Sequence, residues 1–159
     1  RPGARRPTRA NPSDAGLDVY YCPTDPVVSA ASIKPGENML LSTGLSFGVP
    51  HGYMLQVCNR SSMGAKRSLI VGAHIIDSGY EGEVFIDLHN IGIETQHIET
   101  GAKIAQLVLV PVVHFRANLL QESNLYKDRI SMSTRGAASL GSTDEPKKHI
   151  LNDMPVGGF

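Results

Sequence analysis

Short apolar segments separated by frequent glycines and prolines limit the fold of this chain more than any other feature. Its 159 residues include 16 glycines and 10 prolines. Between them, apolar side chains recur at every second position, as in residues 53–57 and 84–88. A period of two places these side chains on one face of a β-strand. Many short strands with dense turn signals predict an all-β sandwich or barrel.

Three further segments give more specific predictions of secondary structure. Residues 103–113 form the longest apolar strand, and the proline inside it, Pro111, predicts a sheet edge or a bulge there. Residues 40–49 read as two strand pieces broken at Gly44. The only predicted helix is a short one within residues 116–128.

The composition excludes several classes of function. Fifteen basic and fifteen acidic residues give a formal net charge of zero, so nucleic acid is not an expected partner. Four arginines lie within residues 1–10, and this basic N-terminal segment is expected to be a solvated, poorly ordered terminus. No apolar run approaches the roughly 20 residues that span a bilayer, so no membrane association is expected.

Cysteine usage indicates the compartment. Cys22 and Cys58 are too few for a disulfide framework and have no metal-ligand spacing. No secretory signal is visible. We therefore expect two reduced thiols in a cytoplasmic protein, or in a nuclear or virus-encoded protein inside a host cell.

One segment, residues 71–84, places an acid and an aromatic ring close together. Asp77 precedes Tyr80 by three residues, and Gly79 and Gly82 flank the ring. Glycine-rich punctuation between two strands predicts a tight hairpin turn. A carboxylate there can activate a water, and a flat ring can pack against a sugar.

A second set of polar residues suits phosphate. Arg60 is followed by the hydroxyls of Ser61 and Ser62, and a guanidinium offers a fork of donors to phosphate oxygens. Gln106 lies within the segment 101–107, which is otherwise apolar core. Asp18 ends the sequence Ala-Gly-Leu-Asp and, taken alone, reads as a turn or strand-edge acid.

These segments together resemble the motifs of the trimeric dUTPases, enzymes that hydrolyse dUTP to dUMP and pyrophosphate. Five segments follow one another in the family's order. They are residues 7–20, 59–66, 71–84, 101–107 and 135–143. The fifth resembles a mobile arm that closes over the nucleotide.

The resemblance implies a fold, an assembly and a set of roles. It implies a single domain over residues 1–159, folded as a jelly-roll β-barrel with a C-terminal arm and tail at 134–159. It implies a homotrimer with three sites at subunit interfaces, Mg²⁺ as cofactor with Asp18 at its waters, and Asp77 as the catalytic acid that orients the attacking water. The implied substrate-binding residues are Arg60, Ser61, Ser62, Gly72, Ile76, Tyr80, Gln106, Arg135, Leu140, Gly141, Ser142 and Thr143.

The chain also departs from the family's pattern. Asn59 replaces the usual proline of the second motif, His74 replaces a glycine of the third, and Leu140 replaces the aromatic that stacks on uracil. These changes leave open a catalytically weakened relative that binds nucleotide and acts through protein contacts.

A sister family, the dCTP deaminases, gives another alternative. Residues 73–77 resemble its Ala-His-Arg-Ile-Asp segment, and Asp87 falls where that family places a catalytic glutamate. Ala65, Lys66 and Tyr80 favour the dUTPase pattern instead. A deaminase or a bifunctional enzyme therefore remains the alternative to a dUTPase.

Overall fold

The computed structural model describes residues 1–121, and within them the regular secondary structure is almost entirely antiparallel strand. The strands are β1 (Leu17–Tyr20), β2 (Ala30–Ile33), β3 (Asn38–Ser42), β4 (Tyr53–Cys58), β5 (Leu69–Val71), β6 (Ile75–Ile76), β7 (Phe85–Asn90), β8 (Gln96–Glu99) and β9 (Lys103–Pro111). One helix, α1 (Ser61–Arg67), follows β4. The prediction of an all-β fold is confirmed.

The strands form three small sheets whose neighbours are mostly distant in sequence. One sheet has the order β1-β9-β4-β6, the second pairs β2 with β8, and the third has the order β3-β7-β5. Every pairing is antiparallel. β9 lies between β1 and β4. It therefore joins the N-terminal strand to the strand that precedes α1 within one sheet.

The core lies between these sheets and follows the period-two pattern. On β7, Ile86 and Leu88 are fully buried while Phe85 and Asp87 point outward. Leu41, Ile98 and Ile104 are buried in the same cluster. Each such side chain stabilises the fold by about 1.5–3 kcal/mol through burial.

Pro111 lies at a sheet edge, as its sequence predicted. β1 pairs with β9 only as far as Leu107. Pro111 is therefore paired with Tyr53 of β4 on one side alone. A residue without an N–H is tolerated there because no second strand needs its hydrogen bond.

Three secondary-structure predictions were wrong or lie outside the described residues. Helix α1 was not predicted. Residues 45–49 form no strand, because β3 ends at Ser42 and the chain turns at Gly44, whose φ is 71°. Residues 116–121 contain no helix, and the rest of the predicted helix, to residue 128, lies outside the described residues.

The basic N-terminal segment is attached to the fold, contrary to expectation. Thr8 and Asp18 exchange two backbone hydrogen bonds of 3.2 and 2.7 Å. The guanidinium of Arg5 lies over the ring of Tyr20 at 5.7 Å. An isolated bridge at Thr8 and the contact of Arg5 with Tyr20 therefore tie this segment to β1. Cys22, which is buried, and Cys58 are both free cysteines.

Candidate active site

One outward face of the four-stranded sheet collects residues of three predicted motifs. Asp18 on β1 lies directly opposite Gln106 on β9, and Gln106 lies directly opposite Cys58 on β4. Directly opposed residues point to the same face of a sheet. The register therefore forms a row of three side chains, and Arg60 follows β4 at the end of that row.

The carboxylate of Asp18 binds two cations. Its Oδ1 accepts from Nε of Arg60 at 2.9 Å, and its Oδ2 lies 2.7 Å from Nζ of Lys103. The hydrogen bond and the charge of Asp18 raise the pKa of Lys103 above its ordinary value. One negative and two positive charges leave this cluster with a net positive charge, which suits phosphate.

Gln106 is held in place by its neighbours. Its Nε2 donates to the backbone oxygen of Asn59 at 2.8 Å. A side chain on Gly16 would lie 2.6 Å from Oε1 of Gln106, so the glycine is what allows this close approach. The side-chain Oδ1 of Asn59 in turn accepts from the backbone N–H of Val71 at 2.7 Å.

Helix α1 presents the two predicted serines beside the arginine. Arg60 occupies the N-cap position, and Ser61 and Ser62 are the first two helical residues. The helix ends at Arg67, and the capping residue Ser68 lies in the left-handed region with a φ of 52°. Ser61 and Ser62 therefore follow directly on the arginine that binds Asp18.

The segment with the predicted catalytic acid forms a tight turn directly after β6. The backbone N–H of Tyr80 donates to the oxygen of Asp77 at 3.2 Å, and Gly79 supplies a φ of 91°. The hydroxyl of Ser78 donates to the oxygen of Val49 at 3.1 Å. The predicted turn is confirmed, but the predicted hairpin is not, because the flanking strands β6 and β7 belong to different sheets.

The ring of Tyr80 is fixed against the end of that turn. Its hydroxyl donates to the oxygen of Glu83 at 2.9 Å, while 47% of the residue remains exposed. A Cβ on Gly82 would lie 2.5 Å from that hydroxyl oxygen, so the ring needs a glycine beneath it. A ring held in this way can pack against a sugar without reordering.

A cleft of about 330 Å³ opens beside this turn. Its polar lining comes from Asp77, Tyr80 and Glu83. Ile76 lines it too, but its side chain is 9% exposed and belongs to the core. Leu40 and Phe85, two exposed residues of neighbouring strands, form its apolar wall, and no sequence motif had indicated them.

Gly72 lies at the end of β5 against a polar pair. Its N–H donates to the oxygen of Asp87 at 2.9 Å, and a Cβ would lie 2.2 Å from Nε2 of His89. The carboxylate of Asp87 accepts from His89 and from Asn38, each at 2.9 Å. Burial alone would raise the pKa of Asp87, but these two hydrogen bonds outweigh it and hold the pKa below its ordinary value. Asp87 does not line the cleft.

The structure thus brings the predicted residues together in two groups. Asp18, Arg60 and Gln106 form the positive row at the end of β4, with Lys103 added by the fold. Asp77 and Tyr80 form the mouth of the cleft. The described residues show no hydrogen bond or ion pair between the side chains of these two groups. Arg135, Leu140, Gly141, Ser142 and Thr143 lie outside the described residues.

The described residues contain no group of three or more His, Cys, Asp or Glu side chains that could hold a metal ion. Asp18 is a single carboxylate already paired with two cations. Mg²⁺ commonly keeps several waters and binds through one or two carboxylates plus substrate phosphates. This donor set fits an ion that arrives with a nucleotide and touches Asp18 only through water.

No helix among residues 1–121 has the length and apolar character needed to cross a membrane.

Three small antiparallel sheets around one core, with the two polar groups on their outer faces, place the chain among the jelly-roll β proteins. A family model described as dUTPase matches residues 3–143. The chain belongs to the dUTPase family. The resemblance that its motifs indicated is confirmed, and with it the jelly-roll architecture.

Relatives support this assignment across most of the chain. The deoxyuridine 5'-triphosphate nucleotidohydrolase of Aromatoleum aromaticum is 36% identical over 140 residues, which cover 86% of this chain and 87% of the relative. A mutant dUTPase of Staphylococcus bacteriophage 80alpha, solved with dUpNHpp, is 25% identical with a TM-score of 0.74 and covers 90% of this chain and 94% of its own.

A second phage structure bears on metal binding. A mutant dUTPase from phage phi11 of S. aureus, described for the coordination of a structural Mg(II) ion, is 25% identical with a TM-score of 0.67. The match covers 77% of this chain and 93% of the phage chain.

Proposed function

We propose that Asp77 activates the attacking water in the reaction that this chain catalyses as a dUTPase, the hydrolysis of dUTP to dUMP and pyrophosphate. The observation that carries the proposal is the turn at the mouth of the cleft, where Asp77 and the fixed ring of Tyr80 are joined by a backbone hydrogen bond. Membership of the dUTPase family supplies the reaction, and this turn supplies the residues that the reaction needs.

The chemistry is an attack of water on the α-phosphorus. Asp77 takes a proton from the water as the new phosphorus–oxygen bond forms, and the bond to the bridging oxygen breaks to release pyrophosphate. Arg60, Ser61, Ser62 and Gln106 bind phosphate oxygens and stabilise the charge that develops on them. The net positive cluster around Asp18 supports this assignment.

Base and sugar recognition falls to the segment that leads into the turn. We assign backbone groups of Gly72 and Ile76 to the uracil base, because Gly72 cannot carry a side chain and that of Ile76 is buried. Tyr80 packs against the deoxyribose and leaves no room for a 2′-hydroxyl.

The fifth motif completes the site in this proposal. Arg135, Ser142 and Thr143 bind the β- and γ-phosphates, while Leu140 and Gly141 cover the base. These assignments depend on the sequence motif alone. A closing arm would exclude water and add a cation to the terminal phosphates.

Mg²⁺ is the cofactor that the donor set fits, and it would neutralise phosphate charge during the reaction. Asp18 would order its waters from the second sphere. The structural Mg(II) ion of the phage phi11 enzyme supports magnesium binding in a relative, though not this role.

The assembly that we propose is a homotrimer. The positive row, which we call the phosphate row from here on, consists of Asp18, Arg60, Lys103 and Gln106. Within residues 1–121 it forms no side-chain hydrogen bond or ion pair with the Asp77 turn at the cleft. This separation within one chain supports composite sites built from different chains. Exposed apolar side chains beside the cleft, Leu40, Ile75 and Phe85, support burial against another chain. Two free thiols support a reducing compartment, the cytoplasm or nucleus.

The product mixture from dUTP and dCTP tests the function. We expect dUMP and pyrophosphate from dUTP and no reaction with dCTP. Release of dUTP or dUMP from dCTP would support the deaminase or bifunctional alternative, although the family model and the named relatives are all dUTPases. Nucleotide binding without turnover would support the weakened relative.

A further inference from the structure

Reciprocal hydrogen bonds join the end of β4 to the segment that carries the catalytic turn. From the β4 side, Oδ1 of Asn59 accepts from the backbone N–H of Val71 at 2.7 Å. From the other side, Nδ1 of His74 lies 2.9 Å from the backbone oxygen of Val57. The backbone N–H of Val57 also donates to the oxygen of His74 at 2.8 Å.

The chemistry of the partners fixes the state of both side chains. The oxygen of Val57 can only accept, so Nδ1 of His74 carries the proton in this contact. The N–H of Val71 can only donate, so the amide of Asn59 presents its oxygen. Each side chain therefore has one orientation that satisfies its backbone partner.

The position of these contacts gives them their importance. Asn59 directly precedes Arg60, and its own backbone oxygen holds Gln106. His74 precedes Asp77 by three residues. Between them, β6 pairs with β4 through only two residue pairs. So short a ladder gives little support of its own to the turn that follows it.

We propose that Asn59 and His74 form a positioning clamp that sets the Asp77 turn relative to the phosphate row; the proposal rests on the function proposed above. These are two of the positions at which the motifs depart from the family's pattern, where proline and glycine would offer neither contact. In a closed ring of identical chains, any shift of the turn within one chain is repeated by symmetry at every shared site. Loss of the clamp would therefore disturb every site, even where the Asp77 turn and the phosphate row of one chain belong to different sites.

The test compares Asn59→Ala, His74→Ala and the double variant with the unaltered chain, each assayed well below its unfolding temperature. Loss of one such hydrogen bond changes an equilibrium or rate constant by about two- to tenfold. We expect each single variant to lower kcat by that factor. KM for dUTP should change less than kcat, because the clamp positions a reacting group rather than binding the substrate. The double variant should be no slower than the slower single variant, since either loss frees the segment.

Two further variants separate positioning from other roles. His74→Asn keeps an N–H donor near the place of Nδ1 and should return kcat to within about twofold of the unaltered chain. His97→Ala removes a comparable histidine contact, the 2.9 Å bond to Ser32 between β2 and β8, and should leave kcat unchanged.

Unchanged kcat in both single variants, or losses that add in the double variant, would overturn the clamp. Equal impairment of His74→Asn and His74→Ala would overturn it too, by assigning His74 to proton transfer, and so would an equal loss in His97→Ala. Hydrolysis of dUTP by the unaltered chain tests the proposed function separately, so the clamp can fail while that function stands.

Discussion

Gly16 and Gln106 approach so closely that no side chain fits between them. A Cβ on Gly16 would lie 2.6 Å from Oε1 of Gln106 and 3.1 Å from its Cβ. The second distance involves the base of the side chain, so rotation of the amide alone cannot relieve the contact. The orientation of the amide of Gln106 therefore depends on a glycine one strand away.

Gly16→Ala should reduce dUTP turnover while the fold survives. The added methyl turns the amide of Gln106 away from Asn59 and from the phosphates, and we expect kcat/KM to fall by about tenfold, the cost of a misplaced hydrogen bond. Steady-state kinetics measures the effect. Gly48→Ala is the matched control, because a Cβ at Gly48 meets nothing within 4 Å. An equal loss in both variants would contradict the explanation.

Asp77→Asn should lower kcat by about 10²–10⁴, the range for removal of a general base. The amide keeps the shape of the side chain but cannot take the proton from water. Affinity for dUpNHpp, measured by calorimetry, should be largely retained because the phosphate row is intact. Turnover near that of the unaltered chain would remove Asp77 from the role of base.

Tyr80 should make UTP a poor substrate. Its hydroxyl is tied to Glu83, so the ring cannot move aside for a 2′-hydroxyl without losing that bond. The ratio of kcat/KM for dUTP to that for UTP measures the discrimination, and Tyr80→Ala should reduce it. If the unaltered chain hydrolyses both nucleotides equally, the ring does not select the sugar.

Stability should fall on acidification through Asp87. The hydrogen bonds from Asn38 and His89 hold its pKa in the folded state below the unfolded value of about 3.9. A lowered pKa contributes stability above the unfolded value, and this contribution is lost as the pH falls through the folded-state pKa. Asp87→Asn should therefore lower the unfolding temperature at pH 7, by the equivalent of about 1 kcal/mol. The difference from the unaltered chain should vanish in acid, and a constant difference across pH would contradict the prediction.

The strands of this fold were predictable where apolar and polar residues alternate in step with buried and exposed positions. Residues 84–88 show the pattern, and Ile86 and Leu88 are indeed fully buried. Residues 45–49 alternate as well but form no strand, because a strand also needs a partner. Helix α1 was missed because its sequence buries only Met63 and includes a glycine, so it has no apolar periodicity.

The candidate site also has one part that the sequence predicted and one part that it did not. The turn at Asp77 followed from the glycines beside it, since Gly79 adopts the positive φ that such a turn requires. The contacts of Asp18 did not follow, because its partners Arg60 and Lys103 come from distant parts of the chain. The sequence motifs identified the site residues individually. The register of β9 against β1 and β4 determines which of them lie next to one another.

That register also dictates when the site can exist during synthesis. Asp18 is made early and Gln106 late, and only the insertion of β9 between β1 and β4 makes them neighbours. Pairing of this kind is dominated by contacts distant in sequence and is slow to form. A nascent chain that has emerged only as far as the Asp77 turn carries the acid and the ring but no phosphate row. Nearly the whole β domain must therefore be synthesised before the chain can bind a nucleotide.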